Sequence, residues 1–80
     1  MIIEAKIFSS LRHHLPKSEH RLDGDKWEVM EGANVGEVLK MLNLPDEEVK
    51  TILINGRKAE KGSILRDGDV LHVFPLIAGG

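Results

Sequence analysis

The residues of this sequence best suited to chemistry lie in its last stretch, FPLIAGG, which closes on Gly79 and Gly80. Chain ends are more often polar and poorly ordered, whereas here the apolar residues Leu76, Ile77 and Ala78 precede the two glycines. Glycine has no Cβ and adopts backbone conformations that other residues avoid. The apolar tail and its flexible tip are therefore the first candidate for a functional segment.

Other chemistry is poorly represented in the sequence. There is no cysteine, which excludes disulfides, thiolate metal sites, iron–sulfur clusters and a cysteine nucleophile. His13, His14 and His20 have no Asp or Cys at metal-ligand spacing, so no metal site is predicted. Since no nucleophile–base pair is visible either, we expect no intrinsic catalytic residue and predict that the protein is not an enzyme.

Composition narrows the class of protein further. A chain of 80 residues fits one domain, and its net charge of −2 argues against a general nucleic-acid binder. Glu4 and Lys6 interrupt the first apolar stretch, so no signal peptide is predicted. No apolar run approaches the roughly 20 residues that a membrane span needs. We expect a cytoplasmic protein with no membrane partner.

The first half of the chain shows two strands and a helix. Alternating apolar residues predict strands over residues 2–8 and 26–31, antiparallel to each other. The polar segment 9–25 between them is interpreted as a surface loop, in which Ser9 and Ser10 cap a single helical turn before Pro16. The helix begins after Asn34, with Glu37 placed for a capping box, and Leu44-Pro45 is expected to stop it. Its apolar stripe consists of Val35, Val38, Leu39 and Leu42.

The second half shows a hairpin and a last strand. Residues 51–54 are apolar, Asn55-Gly56 suits a tight turn, and a weak strand follows near Lys58. Residues 67–69 form a turn before the strand of residues 70–74, which Pro75 ends. One helix covering a mixed sheet of four to five strands, with the first and last strands parallel and central, is the ubiquitin-like β-grasp fold of the α+β class. We predict a domain over 1–75 and a flexible tail over 76–80.

The alternation also predicts which side chains leave the core. If Leu71 and Val73 face the helix, then His72 and Phe74 face away from it, as does Phe8 beside the first strand. An exposed aromatic pair next to an apolar tail is a candidate docking surface. Packing of the two phenylalanines in a second core is the alternative interpretation.

The end of the chain resembles the C-terminal signature of the ubiquitin-like sulfur carriers, which include the small subunit of molybdopterin synthase and the sulfur carrier of the thiamine pathway. Their pattern is an acidic-glycine turn, an apolar strand, a short apolar tail and a terminal Gly-Gly. The residues that match this pattern are Asp67, Gly68, Asp69, Phe74, Ala78, Gly79 and Gly80.

The resemblance implies a carrier without a bound cofactor. An E1-like adenylyltransferase would activate the carboxylate of Gly80 with ATP, and sulfur from a donor such as a cysteine desulfurase or rhodanese would then displace AMP. The resulting thiocarboxylate would enter a sulfur-accepting synthase subunit. By this resemblance Leu76 to Gly79 thread into the partner. The residues that the alternation turns outward, Phe8, His72 and Phe74, are the candidates for docking against it.

Several functions stay open at this point. The long segment after the first strand and the Phe74-Pro75 pair resemble the molybdopterin type, which we favour. Leu76 stands where that type usually has a second proline, and the ending IAGG is common in thiamine carriers, so thiamine or a related sulfur-insertion pathway is an alternative. A ubiquitin-like modifier joined to lysines through Gly80 is another, and a pure interaction module is a third.

Overall fold

The computed structural model describes residues 1–75, which form a mixed five-stranded sheet with one main helix. The sheet order is β2-β1-β5-β3-β4, and this is the predicted β-grasp arrangement. Short 3-10 helices at Ser9–His14 and Asp46–Glu48 complete the fold. The strands are β1 (Ile2–Ile7), β2 (Lys26–Glu28), β3 (Val49–Ile54), β4 (Arg57–Lys58) and β5 (Val70–Pro75), and the helix is α1 (Val35–Met41).

The first and last strands lie side by side at the centre of the sheet, as predicted. β1 and β5 run parallel, with Glu4 opposite Val70 and Ile7 opposite Val73. β2 pairs antiparallel with the outer side of β1, and β3 pairs antiparallel with the outer side of β5. The parallel pair is possible because α1 and the β3–β4 hairpin lie between its strands in the sequence.

The core lies between the sheet and α1. Alternate residues of the strands point into it, because the side-chain period of a strand is two. The apolar stripe of α1 packs against the sheet from the other side of the core. All four residues predicted for this stripe, including Leu42 at the helix end, are buried. The core side chains with almost no solvent exposure include Ile3, Trp27, Val35, Val38, Leu39, Leu42, Leu71 and Val73.

The ends of α1 are set by local hydrogen bonds. The predicted capping box is present: the Glu37 amide donates to Asn34 Oδ1 at 2.8 Å, and the Asn34 amide donates to Glu37 Oε1 at 3.0 Å. The predicted stop at Leu44-Pro45 is wrong, because α1 already ends at Met41. Asn43 adopts a φ of 60°, and the amides of Asn43 and Leu44 return to the carbonyls of the last turn, as in a Schellman motif.

Three further expectations are corrected in the first half of the chain. The second strand ends at Glu28 instead of residue 31, because the chain turns between Met30 and Ala33. The predicted helical turn after β1 exists, but no side chain caps it, and Ser9 is its first residue. The segment 9–25 is more than a surface loop, since Leu11 within it is fully buried.

Within residues 1–75, none of the helices has the length and apolar character that a membrane span requires.

The turn at Asp67-Gly68-Asp69 ties three strands together. Asp67 Oδ1 accepts from the Ile2 amide at 2.8 Å, and the Gly68 amide donates to the Ile2 carbonyl at 2.7 Å, which anchors the start of β1. Asp69 Oδ1 accepts from Asn55 Nδ2 at 2.9 Å, and Asn55 Oδ1 accepts from the Val70 amide at 2.9 Å. The predicted β3–β4 turn residue Asn55 therefore also holds the hairpin against the start of β5.

We expect Asn55→Ala to lower the free energy of unfolding by about 1–2 kcal/mol, because it removes two side-chain hydrogen bonds and places alanine at a φ of 53°. Urea unfolding measures the change. Asn55→Gly is the matched control. Glycine tolerates the positive φ, so the stability lost in this variant reports mainly the two hydrogen bonds of the Asn55 side chain. If both variants unfold like the parent chain, the Asn55–Asp69 contacts do not contribute to stability.

Candidate functional site

Three aromatic rings stack on the face of the sheet opposite α1. The centroids of Phe8 and Phe74 lie 4.5 Å apart, with an angle of 6° between the ring planes. His72 lies 5.9 Å from Phe8 and 6.4 Å from Phe74 by ring centroids, again nearly parallel. We call Phe8, His72 and Phe74 the aromatic cluster.

The parallel pairing of β1 and β5 creates this cluster. Lys6 lies opposite His72 and Ile7 opposite Val73, and the Phe8 amide donates to the Val73 carbonyl at 3.1 Å, which continues the ladder by one residue. Phe8 thereby lies beside Phe74. The alternation of β5 buries Leu71 and Val73 and turns His72 and Phe74 to the outer face.

The cluster is a surface feature and not a second core. Phe8 is 37% exposed, and His72 and Phe74 are half-buried. The alternative interpretation, in which the phenylalanines pack in a second core, is wrong because no layer covers this face within residues 1–75. The structure brings together all three residues predicted for docking; their role in binding stays a prediction.

His72 occupies an unusual environment in the cluster. Its Nδ1 atom is buried and has no hydrogen-bond partner within the described part of the chain. A buried unpaired N–H is rarer in proteins than a buried acceptor without a partner, so the tautomer with hydrogen on Nε2 fits this site better.

Two residues of β3 extend the same surface, and the sequence analysis did not identify them. Leu53 pairs with His72 and Thr51 pairs with Phe74 across the β3–β5 ladder, which places them on the outer face. The alternation of β3 around the buried Ile52 indicates that Thr51 and Leu53 point away from the core. That they lie beside the aromatic cluster follows only from the register of β3 against β5. On the β1 side of the cluster, Lys6 lies opposite His72, and its Nζ is 3.2 Å from Asp25 Oδ2.

The cluster lies next to the start of the predicted tail. β5 ends at Pro75, the residue after Phe74, so the tail begins beside the cluster. The predicted threading and reacting residues, Leu76, Ile77, Ala78, Gly79 and Gly80, lie outside the described residues. In the part of the chain that is described, no group of three or more His, Asp and Glu side chains lies close enough to hold a metal ion.

Comparison with known proteins places the chain in a family. The model of the ThiS family matches residues 13–80, a span from the first 3-10 helix through both terminal glycines. The chain belongs to the ThiS family. The C-terminal signature from Asp67 to Gly80 lies wholly within the matched part of this ThiS-family chain.

Solved structures agree with this assignment. The Haloferax volcanii protein HVO 2177 shares 30% identity over all of this chain and 87% of its own, with a TM-score of 0.69. A Pyrococcus furiosus protein assigned the name molybdopterin converting factor, subunit 1, shares 29% identity over 95% of this chain and 98% of its own, with a TM-score of 0.62. SAMP1 from Haloferax volcanii covers both chains fully at 22% identity and a TM-score of 0.65, which shows a shared fold.

One similar structure contains a partner. Subunit 1 of the molybdopterin-converting factor from Helicobacter pylori was solved in complex with subunit 2; the match covers both chains fully at 17% identity and a TM-score of 0.56, which again shows the fold alone. No curated protein matches the sequence.

We expect the two phenylalanines to be energetically coupled. Because their rings stack, a double-mutant cycle of Phe8→Ala and Phe74→Ala should give a coupling energy of about 0.5–1.5 kcal/mol in urea unfolding. Ile64, which is exposed and outside the cluster, supplies the control: Ile64→Ala and Phe74→Ala should add to within about 0.5 kcal/mol. Equal, near-zero coupling in both cycles would mean that the rings do not stack in solution.

Proposed function

We propose that this ThiS-family chain carries sulfur as a thiocarboxylate on Gly80 for the synthesis of molybdopterin. Two observations together carry the proposal. The family match extends through Gly79 and Gly80, and the aromatic cluster on the outer face of the sheet includes Phe74, the residue before the end of β5. One partner can then hold the domain by the cluster while the tail reaches into its active site. The chain is a co-substrate, and its partners supply the catalysis.

The chemistry requires an activated carboxylate. The Gly80 carboxylate oxygen attacks the α-phosphorus of ATP on an E1-like enzyme, pyrophosphate leaves, and an acyl adenylate forms. A sulfur nucleophile then attacks the acyl carbon, AMP leaves, and the thiocarboxylate remains. Glycines at the last two positions suit this sequence of steps because no Cβ obstructs the approach of the partner's catalytic groups.

The choice of pathway rests on the relatives. The name of the Pyrococcus furiosus relative, at 29% identity over nearly the whole of both chains, favours molybdopterin and a second, sulfur-accepting subunit as partner. The name of the matching family favours the thiamine pathway instead, which is the second candidate. A third candidate, a protein modifier conjugated through Gly80, uses the same activated carboxylate.

The carrier hypothesis predicts a chemical change at Gly80. Incubation of the chain with the E1-like enzyme of the same cell, ATP and sodium sulfide should replace one carboxylate oxygen by sulfur, which intact-mass spectrometry detects. Sulfide serves as the donor because it needs no further reductant. Addition of the converting-factor partner and its precursor should then return the mass to that of the free acid.

Deletion of Gly80 is the control for this experiment. The shortened chain should give no thiocarboxylate and should melt at the same temperature, since we expect the tail to lie outside the packed domain. Lysine-linked adducts in the extract, without a thiocarboxylate, would favour the modifier. If no E1-like protein of that cell adenylates the full chain, both proposals are wrong.

We expect the aromatic cluster to contribute to binding of the activating enzyme. Phe8→Ser should weaken the complex by about tenfold, because a stacked, half-exposed ring near the centre of a contact is a typical hot spot. Ile64→Ser removes an apolar side chain that is 59% exposed away from the cluster and should leave affinity unchanged. Calorimetric titration measures both; equal affinities for the two variants would remove the cluster from the interface.

A further inference from the structure

All three methionines of the chain line one apolar groove, away from the aromatic cluster. Met1, Met30 and Met41 form its walls together with Val29, around a volume of about 500 Å³. A second cavity of about 270 Å³ shares Val29, Met30 and Met41 and continues along α1 past Val38. We call this surface the methionine groove.

The exposure of Met30 is built into the backbone. Met30 is 82% exposed, more than any other large apolar side chain within residues 1–75. It opens a tight turn in which the Ala33 amide donates to the Met30 carbonyl at 3.1 Å, and Gly32 supplies the required positive φ of 79°. The turn thus holds an apolar side chain in solvent beside an apolar groove, where a binding partner could cover both.

The charged side chains that line the groove are carboxylates. Glu28, Glu31 and Glu37 line the two cavities, and neither cavity is lined by a lysine or an arginine. The other titratable groups there are the His20 ring, with Nδ1 3.8 Å from Glu28 Oε1, and the Met1 α-ammonium, which donates to the Val29 carbonyl at 2.8 Å. The surface is thus apolar at its centre and acidic at its edge.

We propose that the methionine groove binds a cationic amphipathic segment of a partner protein. Methionine side chains are flexible and polarisable, so they adapt to varied apolar side chains, while the three glutamates attract lysines or arginines that flank them. An anionic membrane surface is disfavoured by the same charges. A symmetric pair of copies would bring the acidic edges of the two grooves against each other, because the same patch meets itself across a two-fold axis.

This binding is separate from the proposed sulfur chemistry. Met1 lies at the beginning of β1, whereas Pro75 extends β5 past the level of Phe8. The nearest member of the aromatic cluster along this direction is His72, which lies opposite Lys6, so about five residues or roughly 16 Å separate its level from that of Met1. A partner in the methionine groove therefore leaves the aromatic cluster accessible, so a partner at the cluster and a partner in the groove can bind at the same time.

The methionines themselves report on occupancy. A full chain labelled with ¹³C at the methionine methyls gives three signals, all from the groove. The probe is a peptide about four turns long with leucines at i, i+3, i+4 and i+7 and lysines elsewhere. We expect it to shift all three signals and to bind less tightly as salt is raised. Deletion of Gly80 should leave this binding unchanged, which keeps the test independent of the proposed function.

Matched variants separate a site from general attraction. Met30→Ser and Glu31→Lys should each weaken peptide binding by about fivefold, as measured from the shifts of the Met1 and Met41 methyl signals. Ile64→Ser and Glu47→Lys, at exposed positions that do not line the groove, should not weaken it. The proposal is wrong if the groove variants and the control variants lose affinity equally, or if a peptide with glutamates in place of the lysines binds as tightly. It is also wrong if the free chain self-associates in sedimentation and Met30→Ser abolishes that association. Shifts produced by phosphatidylserine vesicles and not by the peptide would also overturn it.

Discussion

The structure depends above all on the parallel pairing of β1 with β5. These strands come from opposite ends of the described chain, yet they form the centre of the sheet. The turn at Asp67-Gly68-Asp69 sets their register through the backbone of Ile2. A shift by one residue would turn Leu71 and Val73 out of the core and remove the apolar layer beneath α1. Register is thus enforced both by hydrogen bonds and by burial.

The same pairing produces the aromatic cluster. Phe8 and Phe74 are far apart in sequence, and their rings stack only because Ile7 lies opposite Val73. β5 then ends at Pro75, which is unable to donate a further ladder hydrogen bond. A surface of stacked aromatic rings therefore lies directly before the predicted tail. For the carrier that we propose, a single strand joins the surface that a partner holds to the segment that reacts.

The two surfaces of the protein have different physical character. The aromatic cluster consists of stacked rings supported from beneath by the central strands, and this rigidity suits a repeated, defined docking geometry. The methionine groove consists of flexible side chains with an acidic edge, and this adaptability suits segments of varied sequence. Because the groove lies at the start of β1 and the aromatic cluster at its end, the two binding roles that we propose do not compete for one surface.

The sequence by itself determined much of this protein. Alternation of apolar residues identified the core face of β1 and β5, Asn34 and Glu37 identified the start of α1, and Asn55-Gly56 identified the hairpin, because each depends on local geometry. The signature ending in Gly79-Gly80 pointed to the family. Local patterns could not reveal that Asn43, not Pro45, ends α1, since this rests on hydrogen bonds returning to the last turn. Nor could they reveal the burial of Leu11, the addition of Leu53 to the outer face or the convergence of three methionines, because distances across the fold are decided only when the strands meet in register.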